Sequence, residues 1–299
     1  MPKMWVTPSS ASWRAIDTPP VTLMVLESVT LRTLLLGGGS PTLRPMHIDV
    51  LFDPFGGRWD DLQAAATEAE AAGFDGVWIY DHLAGSVHRA PHVLECWTSL
   101  TALAATVPRI MVGSLVLNVA NRLPGTLAVA AATLQEVSDG RLLLGVGAGG
   151  GRELPYAQEQ YALGRSVPGD RRRREMVEQT IAELRAVWSG TTGGTDGFLV
   201  PDPVPPVILG GFGPKMAEMA GRLGDGINTP PGSNLERLVE VAREAHAASG
   251  RDPDGFIVTT SLGSGAGERE RLESIGVTRA IAMAPSPYVD SVRRLAAGL

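Results

Sequence analysis

The sequence predicts a single (β/α)8 barrel, and three observations support this prediction. From Met46 onward, short aliphatic runs alternate with segments of helical composition. Eight such strand-then-helix units fit into roughly 250 residues, the usual size of one barrel domain. The strand candidates are apolar throughout, as expected for parallel strands that helices cover.

The first half of this region supplies four units. A run at 47–52 and an Ala-rich segment at 59–73, which ends in Gly73, form the first unit. The next three units pair a strand candidate with a helix candidate: 75–80 with 96–106, 109–117 with 123–140, and 141–149 with 170–190. Two of these helices carry an apolar stripe at helical spacing, which predicts their buried faces: Leu127, Ala130, Leu134 and Val137, then Val177, Ile181, Leu184 and Trp188.

The second half repeats the same alternation. The strand candidates are 204–211, 225–228, 255–260 and 277–283, and the helix candidates that follow them are 213–224, 233–250, 267–276 and 288–298. An open doubly wound sheet is the alternative. It would normally have fewer strands, and no G-x-G-x-x-G follows the first one. The closed barrel is therefore the preferred prediction.

The first 45 residues differ in composition from the rest. They begin Pro- and Ser-rich, and their apolar run is interrupted by Glu27 and Arg32, which would be costly in a bilayer. The run also begins too far into the chain for a secretory signal. We therefore predict a poorly ordered N-terminal extension at 1–45 and one domain at 46–299.

Charge and cysteine content narrow the classes of function. A formal net charge of −6 provides no basic surface for nucleic acid. The single cysteine, Cys96, excludes an intrachain disulfide framework and fits a cytoplasmic protein. We expect neither a nucleic-acid partner nor a membrane, and the spacing of His82, His88 and His92 predicts no metal site.

Asp81 and His82 follow the second strand candidate directly. In a (β/α)8 barrel the C-terminal ends of the strands form the mouth, where catalytic groups collect. Histidine is the usual side chain for proton transfer near neutral pH, and a neighbouring carboxylate can fix its tautomer. Considered by itself, the pair also fits a structural role, in which Asp81 caps the following segment and His82 is an ordinary surface histidine.

Glycine-rich or amide-bearing segments follow the next three strands. Asn118 and Asn121 follow the third strand, 145–153 the fourth and 209–215 the fifth. Glycines let a planar ligand approach the backbone, and a glycine turn before a helix directs free N–H groups at a phosphate. Each could be an ordinary tight turn, but several on one rim favour a phosphorylated cofactor.

Three segments carry a family resemblance: 73–83, 109–150 and 205–228. Together they resemble the bacterial-luciferase-like superfamily of flavin-dependent monooxygenases and F420-dependent oxidoreductases, which have a TIM-barrel fold. The likeness covers 46–230 in order. It implies a cytoplasmic enzyme that binds coenzyme F420 or FMN, acts on a small-molecule substrate and forms a homodimer.

The resemblance also implies roles for individual residues. His82, with Asp81 beside it, would be the catalytic group at the cofactor ring. The residues at the strand exits would bind the cofactor. Those along the ring would be Ser114, Leu115, Val116, Asn118, Gly147, Gly149 and Gly150, with a non-prolyl cis peptide expected at Leu115–Val116. Those at the phosphate would be Gly210, Gly211, Phe212, Gly213 and Pro214.

The sequence departs from the family at one informative position. Gly150 stands where some F420-dependent sugar-phosphate dehydrogenases have a glutamate, and Glu153 is only nearby. The pair of Asp81 and His82 and the run of four arginines at 171–174 favour F420-dependent hydride transfer. The arginines could equally form a solvent-exposed helix face. The alternatives are an FMN-dependent monooxygenase served by a separate flavin reductase, a non-catalytic cofactor-binding barrel, and a non-redox barrel that handles a sugar phosphate.

Overall fold

The computed structural model describes residues 46–298, so the expected extension at 1–45 lies outside the described residues. The strands are β1 (His47–Phe52), β2 (Gly76–Ile79), β3 (Met111–Ser114), β4 (Leu117–Asn118), β5 (Leu142–Gly147), β6 (Thr191–Thr192), β7 (Thr195–Asp196), β8 (Val207–Gly210), β9 (Gly226–Asn228), β10 (Ile257–Ser261) and β11 (Arg279–Ala284). The helices are α1 (Trp59–Ala72), α2 (Cys96–Thr106), α3 (Pro124–Val137), α4 (Ala157–Ala162), α5 (Asp170–Trp188), α6 (Pro214–Leu223), α7 (Leu235–Ala248), α8 (Glu268–Ile275) and α9 (Tyr288–Ala296).

Eight parallel strands close into a barrel, which confirms the predicted fold. Their order is β1, β2, β3, β5, β8, β9, β10 and β11, and β11 pairs with β1. The two-residue strand β4 continues the course of β3 and pairs with the end of β5. The hairpin of β6 and β7 stands apart from this sheet.

Apolar side chains form two cores, as the alternation along each strand requires. The inner core fills the barrel with Leu51, Trp78, Leu143, Ile208 and Ile281. A much larger core lies between the strands and the helices. The barrel interior is therefore packed, and the open space for a ligand is confined to its ends.

A buried ion pair occupies the N-terminal end of the barrel interior. Arg279 on β11 donates from Nε and Nη2 to the Asp49 carboxylate on β1, both at 2.7 Å. Trp78 Nε1 donates to the same carboxylate at 2.8 Å. These bonds link the last strand of the barrel to the first two.

The predicted helix faces are confirmed for α5 and partly wrong for α3. All four stripe residues of α5 are buried. In α3, Leu127 and Leu134 are buried, but Val137 is 45% exposed. The buried face turns instead to Gln135, whose side chain donates to Pro203 O and accepts from Leu142 N. Val137 lies beside this buried face and is exposed to solvent.

Neither α4 nor the β6–β7 hairpin was predicted from the sequence pattern. Helix α4 lies in the long connection from β5 to α5, where no element was predicted. Within residues 46–298, none of the helices has the length and apolar character needed to cross a bilayer.

Candidate active site

The C-terminal mouth of the barrel is open to solvent. Met283 lies on β11 in register with Leu51, and it is 52% exposed although Ala282 and Ala284 on either side are buried. A strand residue can show this exposure only if no layer of side chains closes the barrel above it. The mouth is therefore a cup that can admit a ligand.

His82 stands at this mouth, three residues beyond the end of β2, and its partner is a buried carboxylate. His82 Nδ1 lies 3.0 Å from Glu159 Oε1 on α4, and the Glu159 side chain is only 4% exposed. The backbone N–H of Ala84 also points at Glu159 Oε1, at 3.4 Å. Sequence reasoning missed Glu159, because it is 77 residues away in a segment with no predicted element.

Asp81 has different partners from those of His82. Its fully buried carboxylate accepts hydrogen bonds from Asn118 N at 2.8 Å and Asn121 Nδ2 at 3.1 Å. Arg122 binds both of its oxygens at 2.9 Å. Burial alone would lower the pKa of the Arg122 guanidinium, but the hydrogen bonds and charge of Asp81 raise it above its ordinary value. Asp81 thus anchors the segment that follows β3 to the exit of β2.

Aromatic rings surround the His82 imidazole. The ring centroids of Phe55 and Tyr156 each lie 4.9 Å from it, and those of His88 and Tyr80 lie 6.0 and 6.2 Å away. Burial raises the pKa of the Tyr80 hydroxyl above its usual value, and the charge of nearby Asp53 raises it further. We call Phe55, Tyr80, His82, His88 and Tyr156 the ring cluster.

The expected cis peptide is present between Leu115 and Val116. Ser114, just before it, is buried and donates from Oγ to Gly145 O at 2.8 Å. Beyond the bond, Val116 projects towards two glycines on neighbouring strands. A Cβ on either Gly147 or Gly210 would lie 2.6 Å from Val116 Cγ2. The exits of β3, β5 and β8 therefore meet at Val116, as predicted for a common rim.

The loop after β5 packs closely on its neighbours. A Cβ on Gly149 would lie 2.6 Å from the amide nitrogen of Asn118, whose Oδ1 accepts from Ala120 N. Gly150 lies against Leu154 and Tyr156, to which a Cβ would come within 3.3 and 3.5 Å. The position where a glutamate was expected in related dehydrogenases is thus covered by apolar side chains.

The turn after β8 presents backbone groups outward. Gly211 N donates to Asn228 O, which ties the turn to β9. The N–H groups of Phe212, Gly213 and Lys215 find no acceptor among the described residues, and no side chain caps α6. A Cβ on Gly213 would meet no atom within 4 Å, and Phe212 is 84% exposed. Pro214 begins α6, so the positive end of the helix dipole points at this open space.

Three of the four arginines at 171–174 have partners that divide them between the exposed helix face and the mouth. Arg171 and Arg172 pair with Glu175 on the exposed face of α5, as the solvated-face interpretation expected. Arg173 instead reaches the loop after β5, where it donates to the carbonyls of Ala148 and Gly149. Arg173 therefore supports the glycine loop.

The remaining reactive side chains have structural surroundings. Cys96 is fully buried, donates to Ile79 O at 3.4 Å, and burial raises the pKa of its thiol well above the usual value. In the part of the chain that the structure describes, no three His, Cys, Asp or Glu side chains are grouped to hold a metal ion.

Comparison with known proteins gives consistent matches. A model of the luciferase-like monooxygenase family matches residues 37–270. The chain is 32% identical over 213 residues to the F420-dependent glucose-6-phosphate dehydrogenase of Beutenbergia cavernae, and 30% identical over 213 residues to that of Mycobacterium tuberculosis. These alignments cover 68% and 66% of this chain but only 62% of each relative, so the chain spans about three fifths of their length.

Solved structures share the fold at lower identity. An F420-dependent secondary alcohol dehydrogenase in complex with an F420–acetone adduct is 17% identical, with a TM-score of 0.75 over 86% of this chain and 98% of that one. The monooxygenase RslO1 from Streptomyces bottropensis is also 17% identical, with a TM-score of 0.64 over 85% and 98%. At this identity the likeness establishes the barrel architecture.

Proposed function

This chain belongs to the luciferase-like monooxygenase family, and on that premise we propose that it transfers hydride between coenzyme F420 and a small organic substrate. The observation that carries the proposal is the imidazole of His82, held by a buried carboxylate at the open end of the barrel. The similarity to F420-dependent dehydrogenases over two thirds of the chain supports the choice of cofactor. We further propose a homodimeric cytoplasmic enzyme, and analytical ultracentrifugation would test its oligomeric state.

Glu159 determines what His82 can do. Glu159 Oε1 receives both the Ala84 N–H and the His82 ring nitrogen, so it acts as an acceptor and places the imidazole proton on Nδ1. His82 Nε2 then has a free lone pair. When an alcohol carbon loses its hydride, Nε2 takes the hydroxyl proton and a carbonyl is formed. The reverse reaction returns the proton from the imidazolium.

The mouth has the features that a tricyclic phosphate-bearing cofactor requires. Val116 would support one face of the ring system, and the N–H groups of Phe212, Gly213 and Lys215 would bind the phosphate. Ser114, Leu115 and Asn118 form the segment around the cis peptide. The missing side chains of Gly147 and Gly149 let Val116 and Asn118 pack closely there, and Gly150 lies next to them under Leu154 and Tyr156. When bound, F420 supplies the two-electron hydride exchange that no protein side chain offers.

Asp81 is proposed as a positioning residue. Its carboxylate accepts four hydrogen bonds, from Asn118, Asn121 and Arg122, whereas the partner of His82 is Glu159. It holds the segment after β3 in place, next to the proposed ring site.

An FMN-dependent monooxygenase is the second candidate. The description of the matching family favours it, and the turn at Gly211 and Gly213 would accept the phosphate of either cofactor. Such an enzyme would need a separate flavin reductase as its partner.

Equilibrium binding of F420 and of FMN, followed by fluorescence quenching, distinguishes the two candidates. We expect tighter binding of F420. Tighter binding of FMN would favour the monooxygenase, and no binding of either would refute both candidates.

Gly213 offers a matched test of the phosphate site. It is the N-cap of α6, with ordinary extended backbone angles and free space for a side chain. Gly213→Asp and Gly213→Asn both add a good helix cap of the same size, so neither should lower the melting temperature. The aspartate alone repels a phosphate, and we expect it to bind the cofactor about tenfold more weakly than the asparagine variant does. Equal affinities would place the phosphate elsewhere.

A further inference from the structure

We propose that the substrate of this site is an uncharged, largely apolar ring compound that carries a hydroxyl or carbonyl group, and that a sugar phosphate is excluded. The inference rests on the proposed function, because it assumes that His82 exchanges a proton with the substrate. It goes beyond that function by naming the chemical class on which the enzyme acts.

The walls around His82 are aromatic. Phe55 and Tyr156 contact the imidazole from 4.9 Å, and His88 lies 4.3 Å from Phe55. These separations fall in the range in which aromatic rings attract one another in tilted and edge-on arrangements. A flat or cyclic apolar substrate would extend this stack, whereas a sugar would bury its hydroxyls against rings that offer few acceptors.

The apolar wall continues beyond the ring cluster. Leu154 and Tyr156 cover Gly150, and both remain partly exposed above it. Across the mouth, Met283 presents a large exposed thioether side chain. Exposed apolar side chains around a concave site commonly mark the surface that a ligand covers.

Cations that could hold a phosphate are missing from the loops on one side of the mouth. The segments after β9, β10 and β11, at 229–234, 262–267 and 285–287, contain no Lys, Arg or His. They consist of Thr, Pro, Gly, Ser, Asn, Leu and Ala. No bidentate guanidinium or ammonium can therefore reach a substrate phosphate from these loops.

On the other side of the mouth, the arginines of the loops are engaged or exposed. Arg122 binds Asp81 and Glu95, Arg152 donates to Val167 O, and Arg165 lies within 3.4 Å of Ala120 O. Arg58 and Arg89 are exposed, where water and salt screen their charge.

Two carboxylates also flank the ring cluster. Glu159 contacts His82, and Asp53 lies near enough to Tyr80 to influence its titration. A dianionic phosphate would be repelled here, but an uncharged molecule would not.

The test uses the full chain loaded with whichever of F420 and FMN it binds. The fluorescence of the bound cofactor is followed while cyclohexanone or glucose 6-phosphate is added in parallel titrations. We expect cyclohexanone to change the signal at a concentration at least about tenfold lower than glucose 6-phosphate does. A tighter response to glucose 6-phosphate, or no response to cyclohexanone, would overturn the inference. Failure to load either cofactor would instead refute the proposed function.

Two tyrosines on the same connection provide matched variants. Tyr156 belongs to the ring cluster and is 36% exposed, whereas Tyr161 is 43% exposed and outside the cluster. Tyr156→Ala should weaken cyclohexanone binding about fivefold, the loss typical of one aromatic contact, and leave cofactor affinity unchanged. Tyr161→Ala should change neither. The same effect from both variants would show that the ring cluster does not form the substrate wall.

Discussion

At the scale of single residues, the two histidines of the ring cluster separate proton transfer from packing. The His82 and His88 ring centroids lie 6.0 Å apart and share Phe55 and Tyr156 as neighbours, but only His82 has a buried carboxylate partner. Their substitution therefore distinguishes a reacting imidazole from an aromatic wall.

We expect His82→Ala to lower kcat by about 10²- to 10⁴-fold, the usual contribution of a general acid–base group. His88→Ala should act mainly on KM. Steady-state kinetics with F420 and a cyclic alcohol would measure both, with cofactor binding as the control for folding. Wild-type kcat in His82→Ala with intact cofactor binding would show that His82 is not catalytic.

Sequence reasoning placed His82 just after the second strand, where the structure has it, but it took Asp81 rather than Glu159 as the carboxylate beside it. Asp81 is adjacent along the chain, yet successive side chains at the end of a strand point in opposite directions. Asp81 consequently turns to Arg122, whereas His82 meets Glu159 on a helix that the sequence did not predict. The strand exit itself was predictable, because it follows from a run of apolar residues that ends abruptly.

At the scale of elements, Glu95 joins the start of α2 to the segment after β3. Its carboxylate accepts from Trp97 N at 3.1 Å and Thr98 N at 2.7 Å, and it also binds Arg122. Burial by itself would raise the pKa of Glu95, but these N–H groups and the guanidinium lower it below its usual value. The ionised form therefore stabilises the fold.

This lowered pKa sets the direction of a pH effect. Glu95 contributes stability above the pKa it has in the unfolded chain, about 4.3, and loses that contribution as the pH falls through its lower folded value. We expect Glu95→Gln to unfold more easily than the wild type at pH 7, by about 1 kcal/mol, the usual effect of a lost helix cap. The difference should shrink as the pH falls below about 4.3 and through the lower folded pKa of Glu95.

Urea denaturation of both proteins between pH 3 and pH 8 would measure the effect. Glu175→Gln is the control, because Glu175 pairs with Arg171 and Arg172 only on the exposed surface. A stability difference for Glu95→Gln that stays constant down to pH 3 would contradict the proposed role of the ionised carboxylate.

Most elements could be predicted to within one or two residues, and the exceptions have physical reasons. Helix α5 matched because its stripe of four apolar residues, Val177 to Trp188, spans about three turns. Helix α4 was missed because six residues are too few to show a period. The single strand expected at 109–117 is split into β3 and β4 by the bulge at Leu115–Val116, which the family resemblance predicted and the apolar pattern did not.

At the scale of the whole molecule, the ion pair between Asp49 and Arg279 closes the barrel. The two residues are 230 positions apart and lie in the first and last strands. The pair ties β11 to β1 and so helps to close the barrel. Without this link, the other seven strands could remain an open sheet. Nothing in the sequence indicated the pairing, because only barrel closure brings β11 beside β1.

We expect Arg279→Met to destabilise the protein by about 3–5 kcal/mol, because it leaves the Asp49 carboxylate buried without a cation. Asp49→Asn in the same chain should restore a large part of this loss, because the neutral amide still accepts from Trp78 Nε1. Urea denaturation of the two single variants and the double variant would measure the coupling. Strictly additive losses would show that the pair does not act as a unit.

Lysine is scarce in this chain, with Lys3 and Lys215 as its two instances. Lys215 is exposed at the first turn of α6, beside the N–H groups proposed to hold the phosphate. An amine-reactive reagent therefore probes this turn selectively, and peptide mass spectrometry can separate Lys215 from Lys3. Protection of Lys215 from acylation would report site occupancy in crude or inactive samples, before any substrate has been identified.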